Sequence, residues 1–249
     1  MSVRRLGVIM ALKDEAAAIL EDCRFAWREL YSRPPELPGG PVAAYESASF
    51  PIRLELSGVG KAFASWACAT LAEYCDLMVS LGTSGGMGSE RIGSLRLVKE
   101  FVEYDMDARG FGYPLGVTPS SGTRDPVIRT LSSEGEAFAL KALRLSGLKA
   151  EWARAASGDR FITDAAESRA LAASTGASLC DMECAAVAKL CTFRAAPERL
   201  AAGKGDLDFF GLRSVSDNAD HNASLSWDAQ VALSAKDFDV YLYALAGLL

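Results

Sequence analysis

An α/β fold, with a mixed and mainly parallel sheet covered by helices on both faces, is the class this chain predicts. Three observations carry it. Short apolar runs bounded by turn residues alternate with stretches of helical periodicity along most of the chain. Half of the 249 residues are hydrophobic, ample for a large core, and the charged fraction is an ordinary 23%. At Ser178 to Leu190 an apolar run ends in two carboxylates, Asp181 and Glu183, and opens into a helix of small residues. That junction belongs at the C-terminal end of a buried strand, where open α/β sheets bind ligands. No shift in composition divides the chain, so residues 1–249 are expected to form one domain.

The elements follow in order. Leu6–Leu12 reads as a strand and Asp14–Cys23 as a helix. Pro41–Ser47 and Ile52–Ser57 read as a pair of strands, Lys61–Tyr74 as a helix, and Leu77–Leu81 as a central strand. Leu95–Tyr104 is extended. Glu151–Ser157, Ser178–Asp181 and Leu212–Ser216 complete the strands, with helices over Ala165–Ala173, Glu183–Cys191 and Trp227–Leu249. The Arg33–Pro41 and Arg194–Asp208 stretches, rich in proline, glycine and charge, read as surface excursions.

Charge and composition exclude several classes. A formal charge of −6 opposes nucleic-acid binding, which needs a basic face to displace counterions. Six cysteines with no CxxC pair, beside a single histidine, argue against a zinc site; no metal and no cofactor are expected. Buried, reduced thiols fit a cytoplasmic protein. The N-terminal apolar run is broken by Lys13, Asp14 and Glu15, so it reads as a buried strand rather than a signal peptide. No segment is long and apolar enough to cross a membrane.

Two motifs are decoys. Around Gly58 to Lys61 a P-loop would need glycine at Glu55 and a hydroxyl residue at Ala62, and a dinucleotide fingerprint would need a small residue at Phe63. What survives is a glycine-rich strand-to-helix turn. Gly82 to Gly86 spells Gly-x-Ser-x-Gly, and His221 follows Ser84 in hydrolase order. A nucleophile elbow must run straight into a helix, yet Gly88 and Gly93 follow with no helical period. These glycines serve instead to bring backbone amides near a ligand or ordered water. Phe161, after the Gly158 turn, and Asp217, ending a β-like run, are the remaining candidates for a site; each could equally be a core residue or a cap.

Taken together, eight pieces resemble the nucleoside phosphorylase superfamily, and more closely the 5′-methylthioadenosine/S-adenosylhomocysteine nucleosidases. They are Gly7 to Glu15, Ser57 to Lys61, Gly82 to Gly86, Tyr104 to Asp107 with Phe111 to Tyr113, Ser157 to Ile162, Asp181 to Glu183, Ser216 with Asp217, and Leu225 to Trp227. They span nearly the whole chain in the family's order. The resemblance implies a three-layer αβα sandwich, a homodimer whose site borrows a loop from its neighbour, and hydrolysis of the N-glycosidic bond of an adenine nucleoside. It implies that Glu15 activates water as general base and that Asp217 protonates the leaving purine. Glu183 would hold the ribose hydroxyls with Met182 beside the sugar. Phe161 would stack on the base and the backbone of Ile162 would read its edge. Thr83 and Ser216 join the substrate-binding positions, and Phe111, Tyr113 and Trp227 match positions around the 5′ substituent.

The chemistry agrees with those roles. Breaking an N-glycosidic bond builds positive charge on the sugar and negative charge on the base, so an acid at the base and an ionised carboxylate near the sugar address both. Asp217 must then hold its proton more tightly than a free aspartate while Glu15 stays ionised. The family commonly has Glu where Asp181 stands, and Trp227 is bulkier than the expected Phe. These departures bear on the 5′ group more than on the reaction. A futalosine-type hydrolase would use the same acids. A phosphorylase would need arginines converging on phosphate, whereas Glu15 repels an anion. A serine hydrolase built on Ser84 and His221, and a nucleoside-binding protein without catalysis, are the readings from other classes.

Overall fold

A computed structural model describes residues 4–33, 42–194 and 207–249. Strand β1 (Leu6–Met10) is buried along its whole length, and it pairs in parallel with β4 (Ile52–Leu56) on one side and β5 (Leu77–Gly86) on the other. A strand hydrogen-bonded on both edges and covered on both faces has no polar face to present, which is why Leu6 to Met10 contains no polar side chain. Beyond β4 lie β3 (Ala43–Ser47) and the edge strand β2 (Trp27–Ser32), both antiparallel.

Past β5 the sheet departs from the open form. The order continues through β8 (Leu179–Asp181), β7 (Ala150–Ser157), β6 (Leu95–Glu103) and β9 (Asp208–Asp217), and β9 then returns to pair in parallel with β5. Five of the nine strands therefore close on themselves. The closure requires β5 to serve three neighbours, which it does by running to Gly86 rather than stopping at Leu81. Its first part lies between β1 and β9, and Gly85 and Gly86 turn to β8. A Cβ on Gly85 would stand 2.8 Å from Cys180 Sγ and 3.0 Å from Asp217 Oδ1, so only glycine permits this crowding.

Helices α1 (Lys13–Glu21), α3 (Ser133–Ser146) and α6 (Ala223–Ala246) cover one face. Helix α6 buries Phe238, Tyr241, Leu242, Leu245 and Ala246, a stripe at helical spacing, against Val8, Val79 and Leu212. Helices α2 (Lys61–Ala72) and α5 (Cys184–Arg194) cover the other face through Ala64, Ala67, Ala185 and Ala188. Their small residues bring those helices close to the sheet, giving the three-layer αβα sandwich. Helix α4 (Ala165–Thr175) is started by Asp164, whose carboxylate accepts the amides of Ala166 and Glu167.

Sequence reasoning missed two elements and set the starts of β9 and α6 four residues late. Strand β2 is an exposed edge of sequence Trp-Arg-Glu-Leu-Tyr-Ser, with too little apolar alternation to register. Helix α3 carried readable signals: Ser132 caps the amide of Gly135, and Gly147 closes the helix in the left-handed conformation. Helix α6 begins four residues before Trp227, which puts that side chain in its second turn. The stretch 34–41, including Pro41, and the stretch 195–206 lie outside the described residues. Among the described residues no helix is long and apolar enough to cross a membrane.

Candidate active site

The sheet leaves a cleft where β1, β7, β8 and β9 end and where β5 bends toward β8, with a volume of about 160 Å³. Glu15, Thr83, Phe161, Ile162, Met182, Glu183, Ser216, Asp217 and Trp227 all line it. These residues are separated by up to 212 positions along the chain, Glu15 to Trp227, and only the sheet edge brings them together.

Glu15 sits in the first turn of α1 and is buried. Its Oε1 accepts the Thr83 amide at 2.7 Å and the Thr83 hydroxyl at 2.8 Å, while Oε2 takes one longer bond from the Leu12 amide at 3.3 Å. Burial pushes its pKa above the ordinary glutamate value, against the pull of those bonds and of Arg213. Arg213, in the middle of β9, is fully buried. Burial alone would favour its neutral form, but the carboxyl groups of Asp181, Glu183 and Glu15 around it hold the guanidinium charged. A Cβ on Gly82 would fall 3.1 Å from Arg213 Nη1 and 3.3 Å from Glu15 Oε1, so a side chain there would crowd both the cation and the carboxylate.

The two carboxylates of the β8–α5 junction part company here. Asp181 is consumed by structure: Oδ2 accepts Arg213 Nε at 3.1 Å, and Oδ1 accepts the Ser157 hydroxyl and the amides of Glu183 and Cys184. It is a cap and an anchor, the commonest use of such a residue. Glu183 is held by the Gly60 amide at 2.9 Å, which gives the glycine-rich turn before α2 a definite task. Burial and then the Asp181 charge push its pKa up, and Arg213 pulls it back.

At the far end of the cleft Asp217 is almost fully buried. Its Oδ1 accepts the Ala219 amide at 2.8 Å, and Oδ2 lies 2.7 Å from the Ser216 hydroxyl, which also reaches the Ser84 carbonyl at 3.2 Å. Burial raises its pKa against both bonds. When Asp217 is protonated the set closes without conflict: Oδ2–H donates to Ser216 Oγ, whose own proton goes to the Ser84 carbonyl. The cap reading of Asp217 is thus correct for Oδ1 and leaves Oδ2 to its neighbours in the cleft.

The model of the phosphorylase superfamily matches residues 5–245. The chain belongs to the phosphorylase superfamily. Over 232 residues it is 27% identical to a 5′-methylthioadenosine/S-adenosylhomocysteine nucleosidase of Shewanella piezotolerans, covering 91% of this chain and 92% of the relative. A protein of the same name from Geobacillus kaustophilus is 30% identical over 185 residues, 72% of each chain. Among solved structures, the Helicobacter pylori 5′-methylthioadenosine/S-adenosylhomocysteine nucleosidase superposes with a TM-score of 0.81 at 25% identity over the whole of both chains. The futalosine hydrolase of the same organism gives 0.80 at 26% identity, over 99% of each.

Within this superfamily fold the serine-hydrolase pattern dissolves. Ser84 lies inside β5, its hydroxyl makes no hydrogen bond among the described residues, and His221 is exposed beside Asn222. Among the described residues no cluster of three or more metal-ligating side chains forms. Phe111 and Tyr113 do not line the cleft of their own chain; Phe111 is 85% exposed on a short helical turn. Sequence reasoning missed Arg213. Its signal was an arginine directly after the apolar run Phe209 to Leu212 of a central strand, a placement tolerated only when the charge is paired.

Proposed function

We propose that this protein is a nucleosidase that hydrolyses the N-glycosidic bond of 5′-methylthioadenosine, S-adenosylhomocysteine or both, releasing adenine. The observation that carries the reading is three buried carboxyls on one cleft with unequal neighbours. Burial raises the pKa of all three, but the Arg213 charge opposes that rise at Glu15 and Glu183, whereas at Asp217 only the bonds from Ser216 and the Ala219 amide oppose it.

Glu15 takes a proton from the attacking water. Glu183 accepts the ribose hydroxyls and, with its charge, offsets the cationic sugar of the transition state. Met182 packs beside the sugar and Phe161, half exposed at the cleft, stacks on the purine, whose edge the Ile162 backbone reads. Asp217, held by Ser216, delivers a proton to N7 as the base leaves. The inverting glycosidases use the same pairing of a base for water with an acid for the leaving group. The test is release of free adenine from methylthioadenosine by the pure protein in phosphate-free buffer. A strict need for phosphate would make it a phosphorylase, and binding without turnover would make it a binding protein.

The same acids would serve a nucleoside with another 5′ group, and the similarity to a futalosine hydrolase favours that as the second reading. A panel of adenine nucleosides that differ only at the 5′ position separates the two. Glu183→Gln is expected to weaken ribose binding and slow turnover together. If 2′-deoxy substrates lose as much on this variant as on the wild type, the assignment to the diol is wrong.

The working unit is a homodimer in which Phe111 and Tyr113 of one copy approach the 5′ end of the partner's cleft. The Phe111 ring is 85% exposed in the single chain, which leaves it available for such a contact. Sedimentation is expected to give a dimer. A fully active monomer at assay concentration would remove the proposal.

A further inference from the structure

One contact at the cleft has no counterpart in the roles above. The Trp227 indole Nε1–H donates to Thr83 Oγ1 at 2.9 Å, and Thr83 Oγ1 in turn donates to Glu15 Oε1 at 2.8 Å. The three residues come from α6, β5 and α1, so the chain of bonds ties a wall of the cleft to the proposed base. We propose that Trp227 is a positioning residue for Glu15: it locks the Thr83 hydroxyl as a donor to Oε1 and leaves Oε2 as the oxygen that takes the proton from water. This rests on Glu15 being the general base.

The argument is one of hydrogen-bond direction. An indole N–H can only donate, so its contact with Thr83 Oγ1 occupies a lone pair of that oxygen. The hydroxyl proton must then point elsewhere, and Glu15 Oε1 is the acceptor within reach. Thr83 thereby directs two donors at one carboxylate oxygen, its amide at 2.7 Å and its hydroxyl. Oε2 has only the Leu12 amide at 3.3 Å, a long bond that leaves most of its basicity available. Without the indole the Thr83 hydroxyl is free to rotate and to accept rather than donate. A bond to the charged form of Glu15 would then be lost in part of the population. Because Trp227 also lines the cleft, whatever presses on its ring from the 5′ end reaches the base through two bonds.

The residue types support a specific role over simple packing. Phenylalanine would keep an aromatic wall; the indole adds ring volume and an N–H, and that N–H is spent on Thr83. The helix that presents Trp227 is held independently by its buried stripe from Phe238 to Ala246, fifteen or so Å farther along by helix rise, so the contact is not needed to dock α6.

The experiment is the pH dependence of kcat for Trp227→Phe, Thr83→Val and the double variant. Loss of one hydrogen bond to the base should move the acid limb of Trp227→Phe to higher pH by about half a unit to one unit, with kcat near the limb falling about three- to tenfold. Thr83→Val should move the limb in the same direction, and adding Trp227→Phe to it should move the limb no further, because the indole acts only through the hydroxyl. An unmoved limb in Trp227→Phe, or shifts that add in the double variant, overturns the proposal. If one single variant does not fold, the limb of the other decides alone. Glu15→Gln run in parallel keeps the two claims apart: full turnover there removes the base itself, whereas collapse there with an unmoved Trp227→Phe limb removes only the role of Trp227.

Discussion

Glu15→Gln is expected to bind nucleoside almost as the wild type does and to lose turnover by a factor on the order of 10²–10⁴, the usual cost of removing a general base. The geometry lets the substitution be clean. A glutamine carbonyl in the place of Oε1 keeps both Thr83 bonds, and the amide nitrogen in the place of Oε2 gives up only the long Leu12 contact. What it cannot do is take a proton. Stability should not suffer. Burial raises the Glu15 pKa in the folded protein, so its contribution to stability is present below about pH 4.5 and lost as pH rises through the folded value. Above that value the wild type carries an ionised buried carboxylate that the variant lacks, and the variant should melt no lower. Turnover has the matching dependence: the base must be ionised, so activity rises with pH through the same raised value. Near-normal turnover in Glu15→Gln would take this residue out of the mechanism.

Asp217→Asn should keep its fold and lose its chemistry. The asparagine oxygen can still cap the Ala219 amide, and its nitrogen can donate to Ser216 Oγ, so both local bonds survive. Adenine should still bind. A proton for the leaving base is no longer supplied, and the loss should fall on kcat more than on KM. Substrates whose base departs without protonation should be affected much less. The wild type is expected to lose activity as pH rises through the elevated Asp217 value, since only the protonated form donates, and this basic limb should flatten in the variant. If Asp217 were only the cap of the turn at Ala219, the variant would melt lower and the folded fraction would turn over normally. Melting curves beside single-turnover rates distinguish the two. A folded, fully active Asn variant would overturn acid catalysis by Asp217.

Much of this arrangement was legible in the chain alone, for a local reason. Buried strands such as Leu6–Met10 and the alanine-rich start of α5 write their environment into consecutive residues, because period and side-chain size are dictated by the nearest layer. Strand ends carry function in such sheets, so Glu183 and Asp217 could be singled out by their place just beyond apolar runs, whereas Glu15 stood out only through the family resemblance. Their division of roles was not legible. Asp181 and Glu183 are two residues apart and chemically alike and both line the cleft, yet Arg213 and Ser157 bind the first while only the amides of Gly60 and Met182 bind the second. That outcome depends on where β7 and β9 set Ser157 and Arg213, which no local pattern encodes. The return of β9 to β5, the approach of Arg213 and Glu15 to Gly82, and the bond from Trp227 to Thr83 have the same origin. Each joins residues more than a hundred positions apart or depends on a register set by pairings across the whole sheet. Periodicity reports which face a side chain occupies, and only the assembled sheet decides what stands opposite it.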